Sequence, residues 1–377
     1  MEKSALIFVS LLFLVVIFVN NGAFAQANVG LKEKSYIRYH RKIIDAEYAI
    51  FVKNDSLGGL NIFDETFLDY DFVYVDDCIE AFQLALVFKQ DTLALRFLKK
   101  AMQNGFELQL FDLLNQGCLC NYFTKKNQKI NLFEFFLAKH GDELKSYFDS
   151  ENPKYVEKIK KQQQIFIELY ENHIIEQLYK QNEQKIDFHY RRGAKTYKEV
   201  SEQNIQFIES LFEQRNFVGE QNLGIYTDNL VKNLGTPYFS IDELAKKVLK
   251  NYKFKGSLDD VPYNKESDYF GASPIFIMSF HNPNGYNRLL PYADEAIDKG
   301  FLHPREFAVL LKSNDKNKDE YEQLGMDFYE KIPTNLDAIN KKRRAKYLSP
   351  FEVDYYKHKF QHERNVQLFF GFFKQSR

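Results

Sequence analysis

With 377 residues, 45% of them apolar, the chain has material for a substantial buried core and two domains of ordinary size. Its 51 Lys and Arg almost cancel its 52 Asp and Glu, so no global field draws it to nucleic acid or an acidic membrane. Only 17 Gly and 9 Pro exclude a collagen-like or disordered chain.

Met1-Glu2-Lys3 is followed by an apolar run from Ala5 to Val19, broken only by Ser10. Asn20-Asn21 ends it, and Ala23-Phe24-Ala25 puts small residues at the two positions a signal peptidase reads. A membrane-spanning helix needs about 20 apolar residues to cross about 30 Å of hydrocarbon, and this run is short for that. No Cys follows the small residues, so lipoprotein processing has nothing to modify. Residues 1–25 are expected to be a cleavable secretory signal, with mature protein from Gln26. The expected location is extracytoplasmic, periplasmic or secreted, with no stable membrane span after cleavage.

From Tyr36 to about Gly105 the apolar spacing is helical. Ile43, Ala46, Ala49, Ile50 and Val52 suit one buried stripe, and Ile79, Phe82, Ala85, Leu86 and Phe88 another. Breaks at Lys53-Asn54-Asp55 and Lys89-Gln90-Asp91 precede second helices over 57–70 and 92–104. Gly105 sits where a helix end wants positive φ. The stretch Asp91-Thr92-Leu93-Ala94-Leu95-Arg96-Phe97-Leu98-Lys99-Lys100-Ala101, with Gly105-Phe106, resembles the closing helix of tetratricopeptide-type repeats. Gly58-Gly59 departs from that pattern, since it weakens the first unit's second helix. Three cysteines leave at least one unpaired in a monomer. Cys118 and Cys120 are too close to bridge easily, and Cys78 is the available partner for either; one disulfide and one buried thiol are expected.

Asn152-Pro153 is read as the start of a new helix, with Pro in its first turn. An amphipathic pattern continues to about Arg192, carried by Ile159, Ile165, Phe166, Leu169, Ile174, Ile175, Leu178 and Ile186, and Gly193 closes it. It reads as one long helix, or two with a kink, with its polar residues on an outer face. A further helix is expected over about 201–215 and a shorter one over 241–252, capped by Ser240. Pro274–Phe280 is strongly apolar and runs into His281. Helices over 289–299 and 304–312 flank Gly300, and Pro350 opens the last helix. The expected architecture is all-α: helical-repeat-like hairpins over 26–150, a connecting helix over 151–193 and a compact helical domain over 194–377.

Residues from about 184 to 357 resemble a domain of unknown function found in exported bacterial proteins. Asn204–Ile208 through Phe217–Gly224 carry the likeness first. Ile275–His281, Leu290-Pro291, Ala296–Phe301, Pro304 and Phe307-Ala308 carry it next. Leu336–Leu348, with Asn340 and Arg343-Arg344 ahead of Ser349-Pro350, complete it. Two departures stand out. Ser313-Asn314-Asp315-Lys316 replaces an Asp-Arg pair, and Gln184–Arg192 is a degenerate version of an Asp-Gln-x-x-Arg helix. The resemblance implies no activity.

His281 is the foremost candidate for chemistry. It ends an apolar segment before Asn282-Pro283-Asn284-Gly285, a turn that exposes a side chain, and an imidazole there suits general-base work near neutral pH. Family-like positions supply Asp187, Arg192 and Asn204 as its partners; the alternative is a structural histidine bonded to a carbonyl. His358 and His362 lie four apart on the last helix, a weak zinc pair with no third ligand near. Lys341-Lys342-Arg343-Arg344 reads as a solvated helix face. Phosphate-binding loop, nucleophile elbow and dinucleotide fingerprint are absent from the sequence, and no cofactor or nucleic-acid partner is expected. Helical hairpins stack into concave surfaces, so the leading expectation is a protein- or peptide-binding or scaffolding role in the cell envelope. The alternative is a small-molecule or hydrolase-like site centred on His281, and a purely structural envelope role is the third.

Overall fold

A computed structural model describes residues 35–107, 121–123, 129–182, 196–225, 227–235, 240–251, 274–326, 332–364, 366 and 368. The expected signal segment, Cys118, Cys120, Asp187 and Arg192 lie outside the described residues. The described chain is predominantly α-helical, as the sequence leads one to expect. One antiparallel hairpin, β1 (Asn121–Phe123) with β2 (Lys129–Asn131), is the single sheet among the described residues.

The front of the molecule is built from two helical hairpins. α1 (Tyr36–Phe51) packs on α2 (Ser56–Asp69), and α3 (Val75–Val87) packs on α4 (Asp91–Gln103). The turns within the hairpins match in one respect: Asn54 and Lys89 each take a left-handed φ, of 57° and 58°. The α2 helix runs through Gly58-Gly59, and the geometry explains why. A Cβ on Gly59 would lie 2.6 Å from the Ala46 carbonyl oxygen, so the glycine lets α2 approach α1 closely. Asp55 caps the same helix by accepting from Gly58 N at 2.9 Å. Cys78 is a free, buried thiol inside this front core.

Proline 153 is not a helix start. α5 runs unbroken from Leu132 to Lys160, and α6 (Gln163–Asn182) begins after a turn at Lys161-Gln162. Proline removes one backbone donor from a helix interior. Here both ends of the helix are pinned by packing: Phe133, Phe136 and Leu144 enter the front core, and Tyr155, Val156 and Ile159 enter a second, back core. Tyr155 fixes that crossing point. Its hydroxyl accepts from Ile225 N at 2.9 Å, and its ring lies where side chains on Gly105 and Gly224 would stand, both residues at positive φ.

The back core is formed by α6, α7 (Tyr197–Glu213), α8 (Glu220–Leu223), α9 (Asp228–Asn233) and α10 (Ile241–Asn251), then α11 (Pro274–His281) and α12 (Gly285–Asp298). α13 (Pro304–Val309) follows and runs into a 3-10 turn at Leu310–Ser313, with α14 (Lys318–Gln323) beyond. Thr196 and Glu199 form a capping box at the start of α7. α15 (Leu336–Ala345) and α16 (Phe351–Arg364) are the last described helices, and Val353, Val366 and Leu368 return to the front core. Residues Tyr36–Arg377 cluster as one compact unit, and α5 sends side chains into both of its cores.

Where α16 meets the front helices, six charges come together: Glu47, Glu80, Arg343 and Lys357 are buried, and Arg305 and Asp354 are each 20% exposed. The Lys357 ammonium, 2% exposed, pairs with Glu47 of α1 and with Glu80 of α3, the latter at 2.6 Å. One turn earlier Asp354 pairs with Arg305 at 2.9 Å and with Arg343. Arg343, 1% exposed, also donates to the carbonyls of Ser349, Leu324 and Gly325 at 2.5, 2.9 and 3.1 Å. The basic run is thus not uniformly solvated: Lys341, Lys342 and Arg344 are exposed, whereas Arg343 is structural. Burial pushes the Asp354 carboxyl up, but Arg305, Arg343 and Lys357 outweigh it and hold it well below the usual carboxylate range. Removing one member leaves its partners buried and uncompensated, which is worth about 3–5 kcal/mol. Lys357→Met is expected to destabilise by that amount in urea unfolding. Combining it with Glu47→Leu and Glu80→Leu should recover most of the loss, and a further loss in the triple variant would contradict this account.

A second buried group at the same junction sets a pH dependence. The His40 ring packs against Tyr39, Tyr74 and His303 and is 3% exposed. Burial lowers its pKa to about 3. Since the unfolded chain binds the proton at about 6.5, stability from the neutral ring is full above that pH and falls as pH drops toward 3. Between pH 7 and pH 5 the wild type should lose about 2 kcal/mol more than His40→Phe, which removes the titration and keeps a ring. Equal losses, read from urea midpoints at the two pH values, would contradict the assignment.

Candidate functional site

The site grows from a conflict on α6. Phe166, Leu169, Tyr170, Ile174, Ile175, Leu178 and Tyr179 are all buried, and they point to every side of the helix. A helix apolar all round lies inside the protein, and its polar residues go in with it. Asn172, His173, Glu176 and Gln177 are accordingly buried, not on an outer face. Asn172, Glu176 and Lys180 follow at four-residue spacing, which lines them up along one side. Lys180 is exposed and Glu176 is fully buried, so the stripe descends from solvent into the core.

α11 brings His281 to this stripe. Its Nδ1 lies 3.3 Å from Glu176 Oε2, and its Nε2 lies 3.0 Å from Lys180 Nζ. A lysine ammonium only donates, so Nε2 accepts and the ring proton sits on Nδ1, pointed at the carboxylate. The arrangement is a neutral imidazole oriented by a buried carboxylate, with its basic nitrogen toward the surface; the side chain is 14% exposed. Tyr197, at the start of α7, completes the group with its ring edge-on to His281 at 6.4 Å. Burial, together with the nearby Glu176 charge, raises the Tyr197 phenol well above its ordinary value, so it stays a donor.

The turn after His281 is held tightly. Asn282, 3% exposed, accepts from Asn284 N at 2.8 Å and reaches Ser201 Oγ and Glu202 at 3.4 Å. Arg288 bridges Glu202 and Glu209 across α7, the latter at 2.6 Å. Gly285 sits against the Ser279 carbonyl, where a Cβ would stand 2.0 Å from the oxygen. Ser313 and Asn314 brace the turn from the other side. Ser313 Oγ donates to Leu310 O at 2.7 Å and lies 3.4 Å from Asn282 O, and Asn314 Nδ2 donates to Pro283 O at 2.7 Å.

The partners read from the sequence fare differently. Asp187 and Arg192 lie outside the described residues. Asn204 is close by on α7, 1% exposed, with Nδ2 directed at Asn172 O over 3.5 Å. Glu176, Lys180 and Tyr197, which build the site with His281, were missed; the signal for them was the apolar residues on all sides of α6. His358 and His362 share α16 one turn apart, and no group of three or more potential metal ligands occurs among the described residues. A surface pocket of about 350 Å³ opens at Asp319, Glu322, Asn335, Ile339 and Lys342, in a different part of the chain. No helix among the described residues is long and apolar enough to cross a membrane. Comparison of the chain with protein-family models, with curated proteins and with solved structures finds no match.

Proposed function

We propose that this protein binds a small polar molecule at His281, with the imidazole poised as its hydrogen-bond acceptor and general base. The observation that carries this reading is the Glu176–His281–Lys180 line, in which a fully buried carboxylate orients a partly exposed ring. A carboxylate on Nδ1 fixes the tautomer and stabilises the ring when it takes up a proton. Lys180 covers Nε2, and a ligand hydroxyl or amide that displaces it from the ring meets a basic nitrogen within hydrogen-bond reach. A wholly structural histidine has no use for the polar stripe that runs inward behind it.

The test is a thermal-shift panel of sugars, polyols, amides, amino acids, carboxylates and phosphates. Wild type should gain stability with at least one of them, by about 2.7 kcal/mol at a hundred times its dissociation constant. His281→Ala and Glu176→Gln should lose that gain. A ligand that stabilises all three proteins equally binds elsewhere and sinks the reading.

A second reading, a protein- or peptide-binding role for the front hairpins, is favoured by one feature of α2. Leu57 and Leu68 are 52% and 76% exposed and lie three turns apart on one side of the helix. The location proposed for either role is outside the cytoplasm, on the strength of the signal pattern at residues 1–25. Expression in a bacterial host with N-terminal sequencing of the exported product should return Gln26 as the first residue. A product beginning at Met1 would remove the export assignment and leave the binding site untouched.

A further inference from the structure

Several buried polar atoms near the His281 line make no hydrogen bond; Ser279 Oγ of α11 is one, and Asn172 Nδ2, Glu176 Oε1 and Asn204 Oδ1 on the two helices behind the imidazole are three more. The residues of these three are 2%, 0% and 1% exposed. Each unpaired buried group of this kind works against folding, so native proteins keep few of them, and a concentration of them calls for an explanation. They are neighbours: Asn172 and Glu176 are one turn apart on α6, and Asn204 of α7 reaches across to the Asn172 carbonyl. Glu176 is also the residue that orients His281, so Asn172 and Glu176 belong to the α6 stripe that leads inward behind the imidazole.

We propose that Asn172, Glu176 and Asn204 are the inner wall of that site and select an uncharged ligand end that donates two hydrogen bonds and accepts one. This rests on the His281 binding reading and specifies its ligand. The donor count follows from the free atoms. Glu176 Oε1 and Asn204 Oδ1 accept, and Asn172 Nδ2 donates. The charge follows from the pairing already present. The Glu176 carboxylate is balanced by the Lys180 ammonium across the neutral imidazole, so a charged ligand end would enter a low-dielectric interior without a counter-ion. A vicinal diol or a primary carboxamide meets both conditions. A carboxylate or phosphate offers acceptors where the wall needs donors, and an ammonium offers no acceptor to Asn172.

The experiment is calorimetric titration of the full chain with myo-inositol and D-glucose as diols, nicotinamide and glutamine as carboxamides, and acetate, phosphate and methylammonium as charged probes. The wild type should bind a diol or a carboxamide, and which of the two binds identifies the source of the chemistry. Asn204→Leu and Asn172→Leu should each weaken that binding at least tenfold. Their unliganded melting temperatures should not fall, because an apolar side chain of similar size removes an unpaired atom; circular dichroism and the second variant guard against a misfolded first one. A neutral probe lost in His281→Ala but kept in both Leu variants overturns the inner wall and leaves the His281 site standing. Binding of charged probes alone does the same. If no probe binds, the site reading falls and the wall with it.

Discussion

The neutral set of charges formed by Glu47, Glu80, Asp354, Arg305, Arg343 and Lys357 is the constraint on which the rest of the molecule depends. Its members come from α1, α3, α13, α15 and α16, at both ends of the chain. Buried charges are tolerated only when every partner is in place, so the set demands one arrangement of these five helices and rejects near misses. The helix that carries Arg305, α13, packs on α11, whose last residue is His281.

The site itself pulls in the opposite direction. Placing Asn172, Glu176 and Asn204 in the core with one polar atom of each unpaired works against stability. Natural proteins carry such groups mainly where a bound molecule or water completes them. The surrounding packing makes the arrangement affordable. Tyr155 locks α5 against Gly105 and Gly224, and the Asn282 turn is fixed from α7 on one side and from Ser313 and Asn314 on the other. A rigid frame around an incompletely paired interior is what pre-organisation for a ligand requires.

Much of the fold was legible because local signals and tertiary packing agreed. The front stripes, the helix ends near Asp55 and Asp91, the φ of +103° at Gly105 and the Ser240 cap follow from periodicity and capping chemistry alone. Misreadings occur where tertiary contacts override local preference. Pro153 reads as a helix start, but packing at both ends of α5 carries the helix through it. Gly58-Gly59 reads as a weakness, but Gly59 lets α2 approach α1 and Gly58 leaves room for the Asp55 cap. Arg343 belongs to a basic run by composition and to the core by position. For the site, His281 was legible as a polar residue at the end of an apolar segment. Its partners were not, since a carboxylate 105 residues away in sequence gives no local sign of proximity.

The two binding readings differ in what they ask of the fold. Exposed leucines such as Leu57 and Leu68 cost a folded monomer almost nothing, and single apolar residues on a surface are ordinary. A partner for α2 explains nothing that the isolated molecule leaves open. Unpaired polar atoms in the core are different, because their penalty is present whenever the protein is folded and empty. A bound molecule that pairs them relieves it, and the relief is then part of the binding energy. That asymmetry favours the proposed back-core site, where Asn172, Glu176 and Asn204 each leave one buried polar atom unpaired.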